Sequence, residues 1–257
     1  MQVVILAGGY GTRISEESSQ RPKPMIEIGD KPILWHIMKL YSHHGYNDFI
    51  ICLGHKGYMI KEYFINHAVH NCDITVDFKS NDKITFHHKT TEPWKVTLVD
   101  TGLSSLTGGR IKRVRDFIEG NAFMLTYGDG VADINIKKLV KFHKSHGKLV
   151  TVTAAQPMGR YGSLNLSGDR VASFHEKTSK DASWVNAGFF VMQKKFIDYI
   201  RDDLTTLEKE PLETAASEGN LIAYKHYDFW QTMDTIRDKT LLEELWKSNN
   251  APWKTWK

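Results

Sequence analysis

The stretch Val3-Val4-Ile5-Leu6-Ala7-Gly8-Gly9-Tyr10-Gly11-Thr12-Arg13, with Arg21-Pro22-Lys23-Pro24 close behind, decides how this chain is read. A short, wholly apolar segment is the pattern of a strand buried in a parallel sheet. It ends in three glycines, a hydroxyl and an arginine. Glycines let the backbone approach a ligand closely and turn its N–H groups inward. Arg13 adds a planar fork of donors suited to phosphate oxygens, and Lys23 a point charge on a segment stiffened by Pro22 and Pro24. A polyphosphate, most simply a nucleoside triphosphate, matches this set. The spacing is neither Gly-x-x-x-x-Gly-Lys-Ser/Thr nor Gly-x-Gly-x-x-Gly. A plain strand-to-helix connection is the competing reading of the glycines alone.

Outward from this turn, strand and helix patterns alternate. Ile33, Leu34, Ile37, Met38 and Tyr41 recur at helical spacing, with Asp30 as an expected N-cap and Gly45 as a stop. Phe49 to Leu53 reads as a second buried strand and Tyr58 to Ile65 as a short helix. Asp73 to Lys79 and Lys83 to His88 flank Ser80-Asn81-Asp82 as a hairpin, and Val96 to Val99 follows as a strand. Thr101 to Gly109 reads as a loop. Ala122 to Thr126 is a third buried strand running into Tyr127-Gly128-Asp129-Gly130; Asp133 is the expected cap of a helix carrying Ile136, Leu139, Val140 and His143, with Gly147 as its stop. Leu149 to Ala154 and Trp184 to Met192 are further strands. Between them Ser163 to Leu166 and Arg170 to Glu176 form a second hairpin around Ser167-Gly168-Asp169. Ile236 to Trp246 is a helix, and the aromatic tail Pro252 to Trp256 suits either a core lid or a subunit contact. The whole predicts an α/β fold: a Rossmann-like mixed, mostly parallel sheet flanked by helices, with inserted β-hairpins. Such sheets bind ligands at the carboxyl ends of their strands, where both the Gly8 loop and Gly128-Asp129-Gly130 fall.

Composition narrows the function classes. The chain has 257 residues, 41% hydrophobic and 25% charged, with a net charge of +4, so one large or two small globular domains fit. That charge is too small to argue for nucleic acid. Two cysteines without a Cys-x-x-Cys pair support neither a zinc ribbon nor a redox motif, and Cys52 reads as a buried strand residue. The pairs His43-His44 and His87-His88 suit loops and strands better than a shared metal site. No apolar run reaches membrane-spanning length, and the N-terminus opens directly into the first strand, so no membrane role and a cytoplasmic location are expected.

Two carboxylates stand out. Asp129 lies between glycines just after a buried strand, and Asp234 sits in Gln231-Thr232-Met233-Asp234. Each has a local alternative: a turn aspartate for Asp129, an N-cap for Asp234. Jointly they suit Mg²⁺, which prefers one or two carboxylates plus substrate phosphates and water. Lys177 suits a second anion such as a sugar phosphate, or a solvated surface. Asn186 and Gly188 lie in an apolar strand where a polar side chain needs a partner. Arg110, after Gly108-Gly109, suits phosphate or nucleobase, or belongs with Lys112, Arg113 and Arg115 to a solvated basic face.

Gly8-Gly9-x-Gly11-Thr12-Arg13 with Pro22-Lys23-Pro24 resembles the signature of the sugar-1-phosphate nucleotidylyltransferases. Lys31 to Lys39, Glu92-Pro93-Trp94, Val96 to Gly102, Thr107 to Arg110, Thr126 to Gly130 and Ala251 to Trp256 look like the CTP-using branch, and the likeness runs from end to end. What it implies is a reaction of CTP with α-D-glucose 1-phosphate, giving CDP-glucose and pyrophosphate for dideoxyhexose and surface-polysaccharide (O-antigen) synthesis. By position, Leu6, Ala7, Gly8, Gly9, Tyr10, Gly11 and Thr12 would cradle the nucleotide, with Ser105, Arg110 and Gly128 as further contacts. Arg13 and Lys23 would be catalytic, and Asp129 and Asp234 would hold Mg²⁺. Lys177, Asn186 and Gly188 would face the sugar phosphate. The resemblance further implies a homohexamer. One domain spans 1–257 in this reading, its nucleotide-binding part about 1–150 and its sugar-phosphate-binding part about 151–257. Thr178, Ala187 and Thr232 stand where the family usually has Pro, Gly and Pro.

Overall fold

The computed structural model describes residues 1–79, 83–87, 92–157, 163–167, 170–175 and 183–256. In chain order the strands are β1 (Val3–Leu6), β2 (Glu27–Ile28), β3 (Lys31–Pro32), β4 (Asp48–Leu53), β5 (Asp73–Asp77), β6 (Lys83–His87), β7 (Lys95–Asp100) and β8 (Ala122–Tyr127). They continue with β9 (Gly130–Ala132), β10 (Val150–Ala155), β11 (Ser163–Ser167), β12 (Arg170–His175), β13 (Val185–Gln193), β14 (Leu221–His226) and β15 (Trp230–Thr232). The helices are α1 (Ser15–Ser18), α2 (Ile33–His43), α3 (Gly57–Ile65), α4 (His67–Asn71), α5 (Thr107–Arg113), α6 (Ile136–His146), α7 (Glu210–Ser217) and α8 (Ile236–Lys247).

Seven strands form the central sheet in the order β14-β10-β13-β8-β1-β4-β7. Only β13 runs against its neighbours; the other pairings are parallel. The sheet is therefore mixed and mostly parallel, as its apolar runs predict. Alternate residues along a strand face opposite sides. Val3 and Ile5 accordingly pack with α2, α6, α8 and the C-terminal Trp253, whereas Val4 and Leu6 pack with Ile111 of α5 and Leu212 of α7. Trp253 is fully buried, and its indole N–H donates to His36 Nδ1 at 3.3 Å, so this end of the aromatic tail is a core lid. The β5/β6 hairpin stands apart from the sheet and exposes Ile74, Val76 and Ile84. Among the described residues no helix is long and apolar enough to cross a membrane.

Three local expectations are corrected. Asp30 does not cap α2: it lies in the tight β2–β3 turn, and Pro32 occupies the cap position with its φ already set at −57°. Asp133 does not cap α6; Asn135 does, accepting the Lys138 N–H at 2.9 Å. The segment Thr101 to Gly109 is not all loop, because α5 begins at Thr107. Gly108 and Gly109 are tolerated there because the backbone of Asp203 and Thr205 packs where their side chains would be. The turns at 80–82 and 168–169 lie outside the described residues.

Candidate active site

The carboxyl ends of β1 and β8 open on a cavity of about 670 Å³ lined by the glycine turn, Arg13, Lys23, Ser105, Arg110, Gly128, Asp129, Asn186 and Asp234. The backbone builds this mouth before any side chain does. Ala7 N–H donates to Cys52 O at 3.0 Å, continuing the parallel ladder past Leu6. Gly11 then takes φ +67°, a left-handed conformation, and starts a short 3-10 turn that carries Arg13.

Lys23 opens a second 3-10 turn, between an extended Pro22 and Pro24. It is 8% exposed, unusual for a lysine without partners. Its Nζ lies 2.6 Å from Asp129 Oδ2 and 2.6 Å from Asp234 Oδ1. Arg13 Nη1 reaches Asp234 Oδ2 at 3.0 Å, with the arginine side chain 73% exposed to the cavity. The two carboxylates, 105 positions apart in the chain, meet because β9 pairs with β15 and Met233 N–H donates to Asp129 O at 2.8 Å. Asp234 is not an N-cap; Thr235 is, in a capping box with Asp238. Burial alone would raise the Asp234 pKa, but the ammonium of Lys23, the guanidinium of Arg13 and the Thr232 hydroxyl hold it below the usual carboxylate range. Two hard oxygen donors converging on one cationic position suit a divalent metal such as Mg²⁺. Thr232 donates its hydroxyl to Asp234 Oδ2 at 3.2 Å, which a proline could not do.

Arg110 lines the cavity but commits its fork to the chain. Nη1 donates to Leu53 O, Thr101 Oγ1 and Gly102 O at 2.8–3.0 Å, and Nη2 to Gly8 O at 2.9 Å. Burial lowers its pKa from the ordinary arginine value. Such a guanidinium braces the glycine turn against the β4 and β7 ends. Its neighbours do lie on a solvated face: Lys112 and Arg113 are exposed and Arg115 partly so, with Lys112 donating to the carbonyls of Ile200 and Arg201, Arg113 paired with Asp203 and Arg115 with Asp198.

On the far side of β8, Asn186 Oδ1 accepts the Gly188 N–H at 2.9 Å and Asn186 Nδ2 faces Tyr127 Oη at 3.3 Å. Gly188 has φ +81°, and a Cβ there would lie 2.4 Å from the Tyr127 ring. Gly188→Ala should therefore destabilise the protein by ~1–3 kcal/mol in urea denaturation, and an unchanged midpoint would reject this packing. Lys177, with Glu176 and Thr178, lies outside the described residues. Sequence reasoning missed Tyr127, Thr107, Glu208 and Trp230, all of which line the cavity. No local pattern marks Glu208, one acid within the charged run Glu208-Lys209-Glu210.

Among the described residues, Asp133, His226 and Asp228 bring three ligand-type atoms within 4.8 Å of one another. His226 Nε2 is already engaged, 3.0 Å from Phe229 O and 3.1 Å from Asp133 Oδ1. This is a clip at the end of the β9/β15 ladder remote from Asp129. Burial disfavours charge on His226, but Asp133, the Phe229 carbonyl and Asp228 outweigh it and raise the pKa above 6.5. The clip should then stabilise the fold fully below about pH 6.5 and lose that contribution as pH rises through the folded-state pKa. The melting-temperature gap between wild type and His226→Gln should shrink correspondingly; a gap constant from pH 6 to pH 9 would contradict it.

Residues 2–235 match the Nucleotidyl transferase family. The glucose-1-phosphate cytidylyltransferase of Salmonella typhi is 57% identical over 257 residues, covering 100% of both chains. This chain belongs to that family. A probable glucose-1-phosphate cytidylyltransferase of Bacillus subtilis is 41% identical over the same full length. HddC from Yersinia pseudotuberculosis, solved in complex with GMP-PN, superposes with a TM-score of 0.67 at 25% identity, covering 95% of this chain and 99% of the other. The chain is thus a nucleotidyltransferase, of a family that binds nucleoside triphosphate and sugar 1-phosphate and generally uses a divalent metal.

Proposed function

We propose that this chain transfers the cytidylyl group of CTP to α-D-glucose 1-phosphate, forming CDP-glucose and releasing pyrophosphate. The observation that carries this reading is the convergence of Lys23, Arg13, Asp129 and Asp234 at one mouth of the cavity. Full-length identity of 57% to a cytidylyltransferase supports the choice of base and sugar. A phosphate oxygen of the sugar phosphate attacks the α-phosphorus in line. The new P–O bond forms as the bond to the bridging oxygen breaks, and pyrophosphate leaves with that electron pair. The nucleophile is already anionic, so no general base is required, and catalysis is positioning plus charge stabilisation. Lys23 neutralises charge developing at the α-phosphate, and the exposed Arg13 fork meets the departing pyrophosphate. Mg²⁺ held by Asp129 and Asp234 would offset the charge of the triphosphate.

Residues 1–150 supply the nucleotide side in this reading and 151–257 the sugar side, within one domain. The product suits dideoxyhexose formation for surface polysaccharide, worked in the cytoplasm where CTP is held. The apolar face of the β5/β6 hairpin supports assembly into the homohexamer that the resemblance implies, which light scattering of the purified protein would test. The deciding experiment crosses four nucleoside triphosphates with several sugar 1-phosphates and reads pyrophosphate release. CTP with glucose 1-phosphate should give the highest kcat/KM; preference for UTP, dTTP or another sugar would replace that assignment. No release from any pair would mark a binding subunit rather than an enzyme.

A further inference from the structure

We propose that Glu208 is a specificity-determining residue of this site, accepting hydrogen bonds from the hydroxyls of the hexose. The inference rests on the nucleotidyl-transfer reading and names a residue toward its second substrate. Glu208 lies in the segment between α5 and α7, lines the cavity and is exposed to it. Its carboxylate is held at both oxygens. Tyr127 donates its phenol to Oε1, and Thr107 Oγ1 donates to Oε2 at 2.6 Å. Thr107 Oγ1 in turn accepts the Leu207 N–H at 2.9 Å, which fixes the hydroxyl in the donating orientation. A carboxylate offers about four lone-pair directions, so these two bonds orient it and leave acceptor capacity for a ligand.

Charge selects what that ligand group can be. Of the cations lining the cavity, Lys23 and Arg13 gather at the Asp129/Asp234 mouth, and Arg110 has its guanidinium committed to the carbonyls of Leu53, Gly102 and Gly8 and to Thr101. A fixed carboxylate repels phosphate and accepts from neutral donors, and both hexose and ribose present adjacent hydroxyls. The hexose is favoured by position. Glu208 continues through Tyr127 to Asn186 and Gly188 on β13, which lies across β8 from the glycine turn that follows β1. Burial and the neighbouring Glu208 charge raise the Tyr127 pKa, so its phenol remains a donor throughout the working range.

Glu208→Gln keeps the shape and removes the charge. With wild type and variant of equal melting temperature, the KM for glucose 1-phosphate should rise about 10- to 100-fold while the KM for CTP stays within about twofold. A series of 2-, 3-, 4- and 6-deoxyglucose 1-phosphates locates the hydroxyl: wild type should discriminate against one or two of them, and Glu208→Gln should lose that discrimination. Tyr127→Phe, which frees Oε1 while keeping the ring under Gly188, should move the same KM in the same direction by less. An unchanged KM for the sugar phosphate, or a rise in the KM for CTP in its place, overturns the proposal; the second outcome assigns Glu208 to the ribose or base. Wild-type protein inactive on every substrate pair is the failure of the transfer reading itself and is seen before any variant is made.

Discussion

Lys23→Ala is expected to lower turnover by about 100- to 1,000-fold, the scale for losing one charge-stabilising donor at a reacting centre. The lysine is held at the reacting end of the cavity, where a metal taken up by Asp129 and Asp234 would free its ammonium for phosphate. Its turn is fixed by Pro22 and Pro24, its side chain is 9% exposed, and its ammonium sits where two carboxylates converge. A group that acts chiefly in the transition state should affect kcat more than the KM for CTP. Removing it also leaves Asp129 without a cation and Asp234 with Arg13 alone. The variant should therefore melt lower than wild type in chelator and recover part of the difference when a divalent cation is added. Turnover within about threefold of wild type would remove Lys23 from the mechanism.

Asp129→Asn is expected to raise the half-saturating Mg²⁺ concentration by roughly 10- to 100-fold, with kcat partly restored at saturating metal. Asparagine keeps the shape and one oxygen but supplies no charge. Asp234 remains to pair with both Lys23 and Arg13, so the fold should persist, which a thermal melt checks. The measurement is a Mg²⁺ titration of pyrophosphate release beside Mn²⁺ binding followed by paramagnetic resonance. An unchanged titration with unchanged Mn²⁺ binding would count against ligation by Asp129 and leave it as a partner of Lys23 alone.

Much of the sheet was legible because its signal is local. Val3–Leu6, Asp48–Leu53 and Ala122–Tyr127 are nearly continuous apolar runs, and such runs are buried on both faces of a parallel sheet. Helix ends were less legible, since caps depend on one side chain's geometry: Asn135 outcompetes Asp133, and Thr235 takes the cap that Asp234 also suited. The stretch between β13 and α8 was nearly opaque, although both of those elements were read. There α7, β14 and β15 are short, and β14 is only partly buried at the sheet edge, so no clean period marks them.

The chain by itself determined the alternation of strand and helix, the glycine turn after β1, and the residue types Arg13, Lys23, Asp129 and Asp234, because strand burial and turn chemistry act over a few neighbouring residues. Only the tertiary structure decided that Lys23 lies between Asp129 and Asp234, that Arg110 braces the turn, and that Glu208 joins Tyr127 and Thr107 in the cavity wall. Those contacts join positions 81 to 211 residues apart. They arise from the β9/β15 pairing and from packing of the 203–208 segment on α5, interactions that leave no periodic trace in the sequence because each partner's local pattern is satisfied without the other.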